Sequence, residues 1–178
     1  MGAHAKFSPS GASIWSNCPG AIALQSSAPD SSSEHAERGT AAHELLELKL
    51  TGRAVPVGSK MSNGIVLDEE DIAAVNIAVD YINEQVEDGD EWETETRHQF
   101  NDDLWGTIDF SRYRPSTKEL LLADYKHGAG VLVPALGNLQ GACYSMMKAK
   151  TLGNRGVADV TFTVIQPRCD QGQESLIR

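Results

Sequence analysis

The spacing of hydrophobic positions changes period along the chain, and the changes predict its elements. Residues 7–27 (FSPSGASIWSNCPGAIALQSS) predict two short helices: Ser10 caps the first, Ile14 and Trp15 supply its apolar side, and Cys18-Pro19-Gly20 breaks it. Residues 28–38 are rich in Ser, Asp and Glu and predict a solvated connection. Gly39-Thr40 then opens a helix over AAHELLELKL, with Thr40 as its N-cap and good helix formers throughout. Residues 51–67 carry three glycines and a proline and predict an irregular excursion. Asp68 is placed to cap a long helix over 69–87, in which Ile72, Val75, Val79, Ile82 and Val86 recur at the spacing of one buried stripe. Asp88-Gly89-Asp90 ends it.

The period then falls to two. Residues 93–100 (ETETRHQF) predict a weak strand, and Asn101-Asp102-Asp103 a turn. Residues 105–113 (WGTIDFSRY) alternate: Ile108 and Phe110 point one way, Thr107, Asp109 and Ser111 the other. After a Pro115-Ser116-Thr117 turn, 119–126 (ELLLADYK) is apolar on both faces, which predicts a central strand ended by Gly128 and Gly130. A third helix is predicted from about 135 to 151, with Leu136, Leu139, Cys143 and Met146 on one side, and a last strand over 157–165, stopped near Pro167. Helices, three strands, a helix and a strand predict an α/β fold with a mixed central sheet flanked by helices. The predicted division is an N-terminal helical segment, 1–38, and a core, 39–178, with no internal repeat.

The length of 178 residues and a 40% hydrophobic content suit one packed domain. No run approaches the ~18 apolar residues that span a bilayer, and Met1-Gly2-Ala3-His4-Ala5-Lys6 lacks the apolar stretch of a secretory signal. A cytoplasmic protein with no membrane partner is expected. The three cysteines, Cys18, Cys143 and Cys169, form neither a disulfide framework nor a metal-binding CxxC pair. The net charge of −10 opposes nucleic-acid binding by a general field, unless carboxylates are gathered to hold cations that reverse the local sign.

Asp124-Tyr125-Lys126 is the strongest local signal. Residues two apart on a strand share a face, so the Asp124 carboxylate and the Lys126 ammonium stand together after an apolar LLLA run, where a charged pair is costly to desolvate. Asp109 lies on the preceding strand. Two carboxylates within a few ångströms repel unless a proton or a cation sits between them, and oxygen ligands favour hard cations such as Mg²⁺. Both residues fall late in their predicted strands, so a shared site requires a bulge or stagger.

Five motifs occur in order: Ser13-Ile14-Trp15-Ser16-Asn17-Cys18-Pro19, Gly39-Thr40-Ala41-Ala42-His43, Gly106-Thr107-Ile108-Asp109, Asp124-Tyr125-Lys126 and Gln140-x-x-x-Tyr144. This series resembles the RecB-like branch of the PD-(D/E)XK nucleases, in detail a phage- and prophage-encoded family within it, over nearly the whole chain. The resemblance implies a PD-(D/E)XK, restriction-endonuclease-like core and a Mg²⁺- or Mn²⁺-dependent deoxyribonuclease, expected to be an exonuclease in phage recombination or DNA processing, with one or two ions. It implies that His43, Asp109 and Asp124 ligate metal, with the Tyr125 carbonyl as a further ligand. Lys126 would orient the attacking water and stabilise the transition state, and Gln140 and Tyr144 would support the site or touch DNA. DNA is the implied partner, with a phage single-strand annealing protein as a further candidate. Some relatives bind an iron–sulfur cluster through one early cysteine and three late ones; only Cys169 stands late here, which argues against a cluster. Relatives are expected to continue beyond Gln166-Pro167-Arg168, so a C-terminal truncation is expected. The competing readings are a non-catalytic nucleic-acid- or protein-binding module that keeps the fold, and a different metal-dependent hydrolase.

Overall fold

A strand apolar on both faces has to be covered on both faces, and β3 (Glu119–Tyr125) is buried from Leu120 to Tyr125. It lies at the middle of a five-stranded mixed sheet of order β1-β2-β3-β4-β5 in the computed structural model, which describes residues 5–18, 20–27, 33–169 and 176–177. β2 (Trp105–Arg114) pairs antiparallel with β3, from Phe110 opposite Ala123 to Arg114 opposite Glu119. β4 (Asp159–Ile165) pairs with it in parallel, as a strand reached through a helical crossover can. β1 (Glu91–Gln99) lies antiparallel to β2, and the two-residue β5 (Leu176–Ile177) antiparallel to β4.

Helices α3 (Glu34–Leu50) and α4 (Glu69–Gln85) cover one face. Ala41, Ala42, Leu45 and Leu46 of α3 meet Val75, Ala78 and Ile82 of α4 over Phe110, Leu121, Ala123, Tyr125 and Ile165 of the sheet. The alanine pair lets α3 approach closely, and truncating Leu45 or Leu46 here is worth about 2–5 kcal/mol. Helix α5 (Leu139–Leu152), the β3–β4 crossover, covers the other face through Tyr144 and Met147 over Ile108, Leu120 and Leu122. It can do so because Gly141 has no side chain: a Cβ there would lie 2.5 Å from the Phe162 ring. A 3₁₀ turn (Pro9–Gly11) and the short helix α1 (Ala12–Trp15) pack on α5, and the short helix α2 (Ala21–Ser27) follows.

The cap of α4 is as expected: Asp68 accepts the Asp71 N–H, Asp71 accepts the Asp68 N–H, and the 51–67 excursion holds only a Lys60–Val66 bridge. Other expectations are corrected. Thr40 does not cap α3. The helix begins at Glu34 with Ser33 accepting the Ala36 N–H, because Glu-His-Ala-Glu-Arg favours helix strongly enough to carry it through Gly39. Thr40 instead bonds back to the Ala36 carbonyl, and the 38/39 boundary falls inside one continuous helix. Ser10 caps nothing; Ser8 precedes the 3₁₀ turn. Helix α5 starts at Leu139 behind an Asn138 cap, with Leu136 87%, Leu139 41% and Met146 47% exposed, so its buried stripe is Cys143, Tyr144 and Met147 rather than the proposed one. Pro19 and residues 28–32 of the expected connection lie outside the described residues. No helix among the described residues is long and apolar enough to cross a membrane.

Candidate metal centre

Glu95 adopts φ 45°, rare for a residue with a side chain, and the β1–β2 ladder skips it: Thr94 pairs with Phe110 and Thr96 with Ile108. The β2–β3 ladder likewise starts only at Phe110. Strict alternation therefore breaks at this point. Ile108 joins the α5 side and Phe110 the α3–α4 side, contrary to the expectation that they share a face. Asp109, freed from the ladder, turns its carboxylate to the next strand and accepts the Tyr125 N–H at 2.7 Å. The bulge or stagger that a shared site requires is this break. Asp109 is mid-strand rather than late, and the register carries it opposite Asp124.

Helix α3 delivers His43 to the same point. His43 Nδ1 lies 3.3 Å from Glu95 Oε1 and 3.5 Å from Asp109 Oδ2. The donor atoms of His43, Glu95 and Asp109 all fall within 4.8 Å of one another. The imidazole is fixed from behind by the Tyr125 ring, edge to face at 5.6 Å between centroids. Gly39 precedes His43 by one helical turn on the same side of α3, and a Cβ there would meet nothing within 4 Å beyond its chain neighbours and the helix's own backbone.

Asp124, 2% exposed, belongs to the adjoining half. Its Oδ1 accepts from Gln140 Nε2 at 2.8 Å, and its Oδ2 lies 2.8 Å from Lys126 Nζ without an aligned hydrogen bond. Lys126 Nζ also donates to Gln140 Oε1 at 3.3 Å, and Gln140 Nε2 reaches the Tyr144 hydroxyl at 2.9 Å. Gln140 thus ties the strand carboxylate, the lysine and the helix together. Tyr144 is not on an outer polar face; it is 6% exposed within the α5-side core, and only its hydroxyl reaches the centre.

The charges are out of balance. Burial pushes Asp109 up to about 7; the facing His43 opposes this, and the Asp124 and Glu95 charges add to it. Burial raises Asp124 as well, against the pull of Lys126 and His43. His43 is pushed the other way from burial alone: its desolvation is outweighed by Asp109, Glu95 and Asp124, which draw the imidazole up to about 9. Three carboxylates held largely out of water against one ammonium and one imidazole are a place a cation would relieve. One nitrogen and several carboxylate oxygens, with room for water, suit Mg²⁺ or Mn²⁺ by donor type.

The residues predicted from sequence thus come together: His43 with Asp109, and Asp124 with Lys126, Gln140 and Tyr144. Tyr125 enters through its backbone, its side chain being buried beneath. Sequence reasoning missed Glu95. ETETR offers two glutamates two positions apart, and only the backbone break sends Glu93 to Lys148 on the α5 side and Glu95 to His43 on the α3 side.

Fold and centre together define a mixed α/β protein with a half-buried histidine–carboxylate centre beside a lysine. The chain belongs to the family described as Protein of unknown function (DUF2800), whose family model matches residues 4–178.

Proposed function

We propose that the protein is a Mg²⁺- or Mn²⁺-dependent nuclease with a PD-(D/E)XK core of the RecB-like branch, hydrolysing DNA phosphodiesters. One observation carries the reading: buried Asp109 and Asp124 on adjacent strands, the first closed by His43 and Glu95 and the second paired with Lys126. These groups come from segments far apart in sequence, and their motifs stand on the element types that the resemblance requires. From the resemblance we take also the setting, the processing of phage DNA ends.

His43, Glu95 and Asp109 would hold the ion, with Asp124 and the Tyr125 carbonyl as further donors. A divalent cation there would supply positive charge beside the scissile phosphate and ease deprotonation of the attacking water. The protein's own groups do the rest. Lys126 Nζ, steadied by Asp124 and Gln140, donates to the phosphate oxygens as charge builds on them, while water oxygen bonds to phosphorus and the P–O bond to the leaving strand breaks. The Tyr125 N–H holds the Asp109 carboxylate in one orientation, so it need not reorganise during the reaction. Incubating linear, circular, nicked and single-stranded DNA with Mg²⁺, Mn²⁺ or EDTA tests the proposal. Metal-dependent cleavage supports it, loss of linear but not circular DNA defines a need for ends, and intact DNA in every mixture refutes it.

A further inference from the structure

The guanidinium of Arg97 stacks over the Trp105 ring, 3.7 Å from its centroid. The β1–β2 ladder fixes which face this pair occupies. Thr96 pairs with Ile108, which joins the α5 side, so Arg97 and its partner Thr107 turn to the other side, where His43, Glu95 and Asp109 meet. Trp105, two residues before Thr107, lies on that side as well, opposite Gln99. Helices α3 and α4 leave this end of the sheet open: Arg97, Gln99 and Thr107 are exposed and Trp105 is half-buried. Arg97 stands two residues after Glu95, and Thr107 two before Asp109, about 7 Å along the strand. The chain has 25 carboxylate side chains and a net charge of −10, yet among the described residues none pairs with Arg97, and no hydrogen bond engages its side chain. Glu95 turns to His43, Asp102 accepts from Gln99 Nε2 at 3.1 Å, and Asp103 pairs with Lys6.

We infer that Arg97 binds a phosphate of the DNA strand next to the scissile one, with Trp105 as the positioning residue that holds its guanidinium. The inference rests on the nuclease reading and adds where the substrate is gripped outside the centre. A guanidinium stacked on a ring keeps its five N–H donors in its own plane, where the ring does not use them, and two of them match two oxygens of one phosphate. Stacking also restricts a side chain that would otherwise lose that freedom on binding. Lys126, paired with Asp124 at 2.8 Å, is committed to the centre. Arg97 is a cation on the same face with no such commitment. A DNA strand carries one charge at every nucleotide, so a phosphate seated in the centre brings a second one along this face.

The test uses the full chain and a fluorescein-labelled oligo(dT), followed by anisotropy at fixed Ca²⁺ over a series of KCl concentrations. Each phosphate contact to a single strand adds about 0.7 to the slope of log affinity against log salt. Arg97→Gln is expected to bind about tenfold more weakly and to lose about 0.7 of that slope. Trp105→Leu is expected to weaken binding, and Trp105→Tyr, which restores a ring beneath the guanidinium, to recover most of it. Arg53→Gln removes the same charge from an exposed site on the 51–67 excursion and is expected to match the wild type in affinity and slope. An unchanged slope in Arg97→Gln overturns the phosphate contact, whatever happens to affinity. An equal loss in Arg53→Gln overturns it too, because the effect is then one of net charge alone. Trp105→Tyr binding no better than Trp105→Leu removes Trp105 from the site. A wild type that does not bind oligo(dT) overturns the whole inference. If binding depends on Arg97 with the expected slope while the wild type cleaves no DNA in Mg²⁺ or Mn²⁺, the phosphate site stands and the nuclease reading fails.

Discussion

Two buried aspartates teach opposite lessons. Asp109 sits among too many like charges and is pushed up to about 7. Asp71, whose side chain is fully buried at the start of α4, is held down to about 2. Burial would raise Asp71 too, but the Asp68 backbone N–H, the Arg38 guanidinium and the His127 ring N–H overcome it. Arg38 pairs with both Asp68 and Asp71, and Arg168 Nη1 adds a contact to Asp71 at 3.3 Å. His127 Nε2 lies 2.8 Å from Asp71 Oδ1, and its Nδ1 lies 2.8 Å from the Tyr125 hydroxyl. Burial keeps that hydroxyl protonated, and Arg168 Nη1 also approaches His127 Nε2 at 2.9 Å. This network closes on itself, tying α3, α4, the end of β3 and the segment after β4. A buried carboxylate with all its partners is architecture. One left short of positive charge is a place where a cation would be favoured.

The largest effect that would break the comparison is structural. Asp71→Asn leaves two guanidinium groups without their buried partner and is expected to destabilise the fold by about 3–5 kcal/mol in urea unfolding. Asp109→Asn keeps an acceptor for the Tyr125 N–H and removes a strained charge, so without metal it should change stability by less than ~1 kcal/mol. Equal losses would show that both carboxylates are structural. Next in size is catalysis. Lys126→Ala should keep the fold but lose DNA cleavage by ~10²-fold or more, the scale of removing one transition-state stabiliser; near-normal turnover would remove the lysine from the mechanism.

Metal binding sharpens the contrast further. At about a hundredfold excess over its Kd, Mn²⁺ should stabilise the wild type by about 2.7 kcal/mol relative to EDTA. Glu95→Gln and Asp109→Asn should lose most of that increment, whereas Glu93→Gln should retain it. An unchanged increment in Glu95→Gln would take Glu95 out of the ligand set. The pH response separates the regions again. Asp71 is lower in the folded state than its ordinary 3.8, so its contribution is complete above that value and disappears as pH falls through about 2. The wild type should therefore lose about 2 kcal/mol between pH 4 and pH 2 through this group, a loss absent from Asp71→Asn. A parallel pH profile in the variant would deny Asp71 this role. Smallest is Tyr144→Phe, which removes only the hydroxyl bonded to Gln140 and should cost about 0.5–1.5 kcal/mol while leaving the α5 packing intact. A larger loss would mean that the hydroxyl supports more than Gln140.

The sequence by itself determined the order of the helices and of the first four strands, though not β5, and it named several of the residues that the fold brings together. The buried stripe of α4 and its Asp68 cap were legible because helix periodicity and capping are local. The central position of β3 was legible because only a strand covered on both faces can be apolar on both. His43, Asp109, Asp124, Lys126 and Gln140 were legible because each lies in a short motif. The tertiary structure decided where alternation fails. Ile108 and Phe110 part company, and Glu93 and Glu95 take opposite faces, because the β1–β2 ladder is interrupted at Glu95, which sits at positive φ, and pattern reading assumes an unbroken one. It also decided the exposed Met146 and the buried Tyr144, since which side of α5 is inward depends on how close Gly141 lets it come to Phe162. Above all, it decided which aspartate is neutralised. Asp71 and Asp109 are the same residue in the sequence, and their difference lies in groups brought to them from other elements, Arg38 and His127 to one, Glu95 and Asp124 to the other.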